Sequence, residues 1–91
     1  MPDCFRMAVV QMLVAENKSA NLKKAARMIK RAKDQGAQAV ILPEIFNSPY
    51  QAQRFPEFAE PFGGPTTALL SDLAVQNSLL VVGGSIPERS E

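Results

Sequence analysis

Three short apolar runs, separated by helical patterns, constrain the fold of this chain more than any other feature. The runs occupy residues 5–12, 38–42 and 79–82. An apolar run of this length is typical of a parallel strand that is buried on both faces. Between the runs, apolar residues recur every three or four positions, which is the spacing of one helix face. Strands that alternate with helices predict an α/β fold with parallel strands and right-handed crossovers.

The first helical pattern covers residues 21–35 and has one apolar face. That face is formed by Leu22, Ala25, Ala26, Ile29 and Ala32. Gly36 follows at the position where a glycine commonly ends a helix. Three residues would each suit the N-cap, and the sequence does not choose between them: Asn17, Ser19 and Asn21.

Basic residues crowd the opposite face of this helical pattern. Seven of the ten Lys and Arg residues lie between Lys18 and Lys33. Such a stripe suits either a helix that binds polyanions or membrane surfaces, or a solvated face whose long side chains cover apolar surface. The apolar side offers mostly Ala and Leu, with no Trp or Phe to enter a membrane interface. We therefore favour the solvated face.

A proline-rich segment separates the second apolar run from the second helical pattern. Five of the seven prolines lie between Pro43 and Pro65, which rules out long regular elements there. We expect a structured loop with one short helical turn near residues 51–55, packed over Phe55, Phe58 and Phe62. The second helix opens at residues 64–66, and its buried stripe would comprise Leu69, Leu70, Leu73 and Ala74.

This order of elements, β-α-β-loop-α-β, fills the chain from residue 1 to residue 91. Parallel sheets are normally covered on both faces. Two helices are too few to cover both faces of three strands. The sequence therefore predicts one unit that forms the beginning of an α/β domain, with the later part of the domain absent.

Composition narrows the function classes further. The net charge is +1, so we expect neither nucleic acid nor a membrane as a partner. No stretch approaches the length of a membrane span, and no signal peptide is evident. The single cysteine, Cys4, allows no internal disulfide, which is typical of a cytoplasmic protein. Histidine is absent, which excludes a Ser-His-Asp or Cys-His site within these residues, and we expect no metal and no cofactor.

Glu44 is the candidate for chemistry, because it follows the second apolar run directly after Pro43. Ligands of open α/β sheets bind beyond the carboxyl ends of the strands. With apolar neighbours, a carboxylate there would be largely buried, and desolvation makes it a better base near neutral pH. The alternative is a salt-bridged or helix-capping glutamate. Phe46 and Tyr50 would either line a pocket beside Glu44 or belong to the core.

Several short motifs occur in the order shown by one known family. They are Met7-Ala8-Val9-Val10-Gln11-Met12, Asn21-Leu22, Gly36-Ala37, Leu42-Pro43-Glu44, Phe46-Asn47-Ser48-Pro49-Tyr50 and Gly83-Gly84-Ser85-Ile86-Pro87-Glu88. In this ordered set the chain resembles the nitrilase superfamily of carbon–nitrogen hydrolases, and within it the omega-amidase branch. The resemblance covers about residues 5–89. It implies the N-terminal βαβαβ portion of a nitrilase-like α-β-β-α sandwich, whose full domain is several times longer.

The resemblance also implies a mechanism and a substrate class. Enzymes of this family use a Glu, a Lys and a Cys to hydrolyse amides or nitriles, and the omega-amidase branch cleaves monoamides of short dicarboxylic acids. Only Glu44 matches a member of that set, the general base. The Lys and the nucleophilic Cys lie in later strands of the family's domain, and Cys4 matches no catalytic position. The resemblance thus implies an amidase that forms a homodimer or a higher oligomer, while the 91-residue chain alone would be inactive.

Two other classes compete with this interpretation. One is a non-catalytic, truncated interaction module that pairs with a full-length subunit. The other is a small nucleotide- or phosphate-binding α/β domain, and Gly83 and Gly84 give it little support because their spacing matches no phosphate-binding fingerprint.

Overall fold

The computed structural model describes residues 5–49, 51–61, 63–83 and 86–89, and it forms one βαβαβ unit. The predicted order of strands and helices is confirmed, and the loop contains one further short helix. The elements are β1 (Met7–Val9), α1 (Lys18–Asp34), β2 (Ala39–Ile41), a 3₁₀ turn (Ala52–Arg54), α2 (Phe55–Phe58), α3 (Pro65–Asn77) and β3 (Leu80–Val82).

The three strands form one parallel sheet with β2 in the middle. Met7 pairs with Ala39, which pairs with Leu80, and the register continues in step to Val9, Ile41 and Val82. Each strand has only three residues, so the regular ladder is shorter than the apolar runs predict. The predicted parallel α/β topology is confirmed.

Helix α1 begins three residues earlier than its apolar spacing indicates. Asn17 is the N-cap, and its side-chain oxygen accepts a hydrogen bond from the Ala20 N–H at 2.9 Å. Asn21 is buried inside the first turn, where it bonds both the N–H and the carbonyl of Ala15. At the other end, Gly36 has a φ of 93°, and the bonds from Gly36 to Lys33 and from Ala37 to Ala32 close a Schellman motif.

The core lies on one face of the sheet only, because α1 and α3 both pack there. Its buried members are Val10, Ala25, Ile29, Ala32, Val40, Leu42, Phe46 and Leu79. The stripe predicted for α3 is only half-buried, since Leu69, Leu70, Leu73 and Ala74 retain partial exposure at the edge of this core. The basic side chains on the outer face of α1, including Lys23, Arg27 and Lys30, are exposed.

In the described part of the chain, the opposite face of the sheet is uncovered, which corrects the expectation of a fully buried first strand. The side chains of Met7 and Val9 are 56% and 69% exposed, and Leu80 and Val82 on β3 are also exposed. The alternation of side chains along a strand places these four on the same face, away from both helices. An apolar run therefore marked a strand with two apolar faces, of which this chain covers one.

We expect the isolated chain to self-associate through this uncovered face, because burying exposed apolar side chains against a second copy is favourable. Val9→Lys should shift the chain toward monomer in sedimentation velocity. Val75→Lys is the matched control, since Val75 is similarly exposed but lies on α3. Equal sedimentation of the two variants would contradict the expectation.

The proline-rich loop contains the short helical turn that the sequence predicts, at the 3₁₀ turn and α2. Phe58 is buried and Phe55 is half-buried, as expected of side chains that pack beneath a loop, while Phe62 lies outside the described residues. Arg54 links the loop to the segment before α1 through ion pairs. Its guanidinium pairs with Glu57 and with Glu16, each at 3.1 Å. Of the helices in the described part of the chain, none combines the length and apolar character needed for a membrane span.

Candidate active site

Glu44 lies just beyond the carboxyl end of β2, as predicted, and begins a four-residue turn. Its side chain is exposed, which corrects the expectation that it is largely buried. Its neighbour Phe46 is buried in the core, whereas the carboxylate of Glu44 remains outside. Among the described residues, Glu44 forms no ion pair, so the salt-bridge alternative finds no partner there.

Ile45 adopts a left-handed backbone with a φ of 54°. A β-branched residue is a steric outlier in this region, and such a conformation persists only where the surrounding structure fixes it. Strained residues of this kind cluster at functional sites. The residue directly after the candidate base is therefore held in a conformation that its own side chain disfavours.

The rest of the turn points into the protein. Phe46, Asn47 and Ser48 are fully buried. Phe46 packs in the hydrophobic core, which is the alternative that the sequence left open for it. Tyr50, the other predicted pocket residue, lies outside the described residues. Glu44 is thus the exposed first residue of a turn that is anchored in the interior through Phe46, Asn47 and Ser48.

The polar anchor of this turn is a buried carboxylate, Glu60, which is only 3% exposed. Asn47 Nδ2 donates to Glu60 Oε2 at 3.3 Å and to Thr66 Oγ1 at 3.0 Å. The Thr66 hydroxyl donates to the same carboxylate oxygen at 2.5 Å. Glu60 can only accept, and the Thr66 hydroxyl already donates its one proton to Glu60, so the NH₂ of Asn47 must point toward these two groups. The hydrogen bonds therefore fix the orientation of Asn47.

Glu60 also closes the amino end of α3. Gly64 at the N-cap has no side chain to accept a bond, and Glu60 Oε1 accepts the Thr66 backbone N–H at 2.8 Å instead. A carboxylate at this end also interacts favourably with the helix dipole. Lys18, the first residue of α1, pairs with Glu60 Oε2 at 3.0 Å. One side chain thereby joins the start of α1, the turn after β2 and the start of α3.

Backbone hydrogen bonds also hold Glu60 in place. Its N–H donates to the Pro87 carbonyl at 3.1 Å, and the Arg89 N–H donates to the Glu60 carbonyl at 2.9 Å. These bonds form a parallel bridge between Glu60 and Glu88 beyond the end of β3. The backbone of Glu60 is therefore held in place, while its carboxylate is held by Asn47, Thr66 and Lys18.

The groups around the Glu60 carboxylate stabilise its ionised form. Burial alone would raise the pKa of Glu60, but the side-chain and backbone hydrogen bonds from Thr66, together with Lys18, outweigh burial and lower that pKa below its ordinary value. A lowered pKa in the folded state means that ionised Glu60 stabilises the fold.

This shift predicts a loss of stability in acid. Between the lowered folded pKa and the ordinary value of 4.5, the unfolded chain binds more protons than the folded chain, so the free energy of unfolding rises with pH. The contribution of Glu60 is complete above that window and disappears as pH falls through the folded pKa. The test is urea unfolding from about pH 3 to about pH 6, the usual range of carboxyl titration. The free energy of unfolding should depend less steeply on pH in Glu60→Gln than in the parent chain. Asp72→Asn, at an exposed carboxyl on α3, should retain the steeper dependence; a Glu60→Gln curve parallel to the parent's would contradict the assignment.

The chemistry that the described residues offer beside Glu44 is limited to proton transfer. The ammonium of Lys18 is already paired with Glu60. Within the described ranges, no group of three or more His, Cys, Asp or Glu side chains could hold a metal ion. A cleft of about 430 Å³ lies between α3 and β3, lined in part by Thr66, Leu70 and Gly83, but Glu44 does not border it.

The pairing of Glu60 with Thr66 has no standard sequence motif. In a capping box the reaching carboxylate follows the N-cap by three residues. Glu60 instead precedes the N-cap Gly64 by four residues and reaches the helix across the intervening loop. The only available signal was an N-cap without a capping side chain, followed by Pro65.

Comparisons with known proteins agree with this architecture. The sequence model of the family described as carbon-nitrogen hydrolase matches residues 6–91. The chain belongs to the carbon–nitrogen hydrolase family. The resemblance to the nitrilase superfamily and its omega-amidase branch is therefore confirmed.

Among curated members of the carbon–nitrogen hydrolase family, omega-amidase NIT2-B of Xenopus laevis is 52% identical over 84 residues, which is 92% of this chain and 30% of that protein. Omega-amidase NIT2 of Bos taurus is 49% identical over 85 residues, 93% of this chain and 31% of that protein. The chain thus spans about a third of the length of the relatives that it matches.

Solved structures of this family share the fold. Nit3 of Saccharomyces cerevisiae, a member of branch 10 of the nitrilase superfamily, superposes with a TM-score of 0.81 at 37% identity, over 92% of this chain and 34% of that one. A CN-hydrolase superfamily protein from Xanthomonas campestris gives a TM-score of 0.82 at 26% identity, over 96% of this chain and 32% of that one. The predicted nitrilase-like α/β portion is confirmed.

Proposed function

We propose that the protein carrying this segment is an amidase that hydrolyses carbon–nitrogen bonds of small amides, with monoamides of short dicarboxylic acids as substrates. One observation carries the proposal. In a chain about half identical to omega-amidases, Glu44 stands exposed at the carboxyl end of the central strand, on a turn that is strained at Ile45. This is the edge of a parallel sheet where ligands bind.

In this proposal Glu44 is the general base. It takes the proton of a cysteine thiol as the sulfur attacks the amide carbon, and it gives a proton to the departing ammonia. It then activates the water that hydrolyses the thioester. The cysteine, and a lysine that stabilises charge on the substrate oxygen, belong to the later part of the family's domain. Residues 1–91 are accordingly the N-terminal part of that domain.

The surroundings of Glu44 follow from the same proposal. The later part of the domain would cover the carboxylate and supply the desolvation that this segment alone does not give. Tyr50 would line the substrate pocket, and Phe46 would support the pocket floor from the core. A cytoplasmic location, a homodimeric or higher assembly, and the absence of nucleic acid and membrane partners complete the proposal.

A chimera tests the proposed activity. Residues 6–91 of this chain replace the matching segment of the Xenopus laevis omega-amidase, and ammonia release is measured with succinic monoamide. We expect turnover in a chimera whose circular dichroism matches that of the parent enzyme. A folded chimera that releases no ammonia would overturn the proposal.

A second candidate function has one observation in its favour. The uncovered sheet face formed by Met7, Val9, Leu80 and Val82 is suited to pairing. The chain would then be a non-catalytic module that binds a full-length subunit. Coelution of the isolated chain with the intact Xenopus laevis enzyme, abolished by Val9→Lys and retained by Val75→Lys, would support this alternative.

A further inference from the structure

We propose that Glu60 is a positioning residue for Glu44: by anchoring Asn47, its carboxylate holds the turn at residues 44–47 in the strained conformation that presents Glu44 at the strand end. The geometric part stands on the structure of this chain. Its consequence for turnover rests on the proposed function.

The anchor acts close to the base. Asn47 is three residues after Glu44, is fully buried and donates to both Glu60 and Thr66. Glu60 is itself fixed by Thr66, by Lys18 and by its own backbone pairing. A rigid carboxylate thus holds one end of the turn, and β2 holds the other.

The strain at Ile45 explains why the turn needs this anchor. A β-branched residue in the left-handed region relaxes to negative φ unless the chain on both sides prevents it. On one side Leu42 is fixed by its N–H bond to the Val82 carbonyl at 2.9 Å. On the other side Phe46 packs in the core and Asn47 bonds to Glu60. Without the Asn47 bonds, rotation at Ile45 would redirect Glu44.

Backbone dynamics of the isolated chain provide the first test. In the parent chain, ¹⁵N relaxation at residues 44–48 should give order parameters of about 0.85, which are typical of rigid backbone. Glu60→Gln should lower them below about 0.6, the range of mobile segments. Glu57→Gln, at an exposed carboxyl in α2, should leave them unchanged. Unaltered order parameters in a folded Glu60→Gln variant would overturn the proposal.

A second variant separates the turn from the helix cap and is available if Glu60→Gln does not fold. Asn47→Leu removes the anchor but leaves Glu60 bonded to Thr66 and Lys18. We expect the turn to become mobile while the first turn of α3 stays rigid. A rigid turn in a folded Asn47→Leu variant would overturn the proposal equally.

Rescue at Ile45 distinguishes positioning from general support. Asn adopts the left-handed region readily. Ile45→Asn should therefore restore order at residues 44–48 in the Glu60→Gln chain, an effect that a purely structural role of Glu60 would not produce. If Ile45→Asn leaves the turn as mobile as before, strain is not what Glu60 opposes.

The chimera links the turn to turnover. Glu60→Gln should lower kcat by about 10–100-fold with a smaller change in KM, because a misplaced base slows the proton transfer more than it weakens binding. Ile45→Asn should recover part of that loss. An inactive parent chimera would count against the proposed function while the relaxation data still decide the positioning. If the chimera is active but Glu60→Gln does not make the turn mobile, the positioning role of Glu60 is contradicted and the proposed function is not.

Discussion

Glu44→Gln in the chimera is expected to reduce kcat by about 10²–10⁴-fold, the range that a general base contributes. Gln matches Glu in size but cannot take up a proton. The fold should be unaffected, because Glu44 is exposed and forms no ion pair among the described residues. The measurement is steady-state ammonia release from succinic monoamide, with circular dichroism to verify folding.

Glu88→Gln is the matched control for this experiment. Glu88 is also exposed, and its described pairing with Glu60 runs through the backbone, so loss of its carboxylate should leave kcat within a factor of about two, as expected of a surface substitution. Turnover that is equal in the Glu44→Gln and Glu88→Gln chimeras would refute the role of Glu44.

The order of elements was predictable because it depends on local patterns. Leu22, Ala25 and Ile29 follow a helical spacing. Gly36 ends the helix because glycine readily adopts the left-handed conformation that this position requires. Helix α1 still begins early, at Lys18, because three residues were competent N-caps and only the folded chain selects Asn17.

Burial was less predictable, because it depends on what packs against an element. Met7 and Val9 have the pattern of a buried strand, yet both helices pack on the other face of the sheet. Glu44 has apolar neighbours in sequence, yet Phe46 turns into the core and leaves the carboxylate outside. In both cases the local pattern was correct, and the missing information was the covering surface.

The support of the candidate site was not predictable from local patterns. Ile45 would be assigned a negative φ from its side chain alone, and the structure gives 54°. The anchor that makes this possible joins Asn47 to residues 13 and 19 positions away. Contacts at such separations leave no periodic signal in a single sequence.

The isolated 91-residue chain is expected to hydrolyse no amide at a measurable rate. In the proposed function it supplies Glu44 as a base, but neither its lysines nor its one cysteine match the Lys and Cys that the proposed mechanism requires. Catalytic residues that act as a unit lose nearly all activity when one member is missing, so a base alone gives little acceleration.

Cys4 makes this expectation testable within the chain itself. A mass-verified sample would be incubated with succinic monoamide, alongside Cys4→Ser and Glu44→Gln. All three should release no more ammonia than buffer. Release by the parent that disappears in Cys4→Ser would make Cys4 the nucleophile, whereas release that persists in both variants would require a site built from other residues. Either result would contradict the division of labour in which these residues provide the base and the later part of the domain provides the nucleophile.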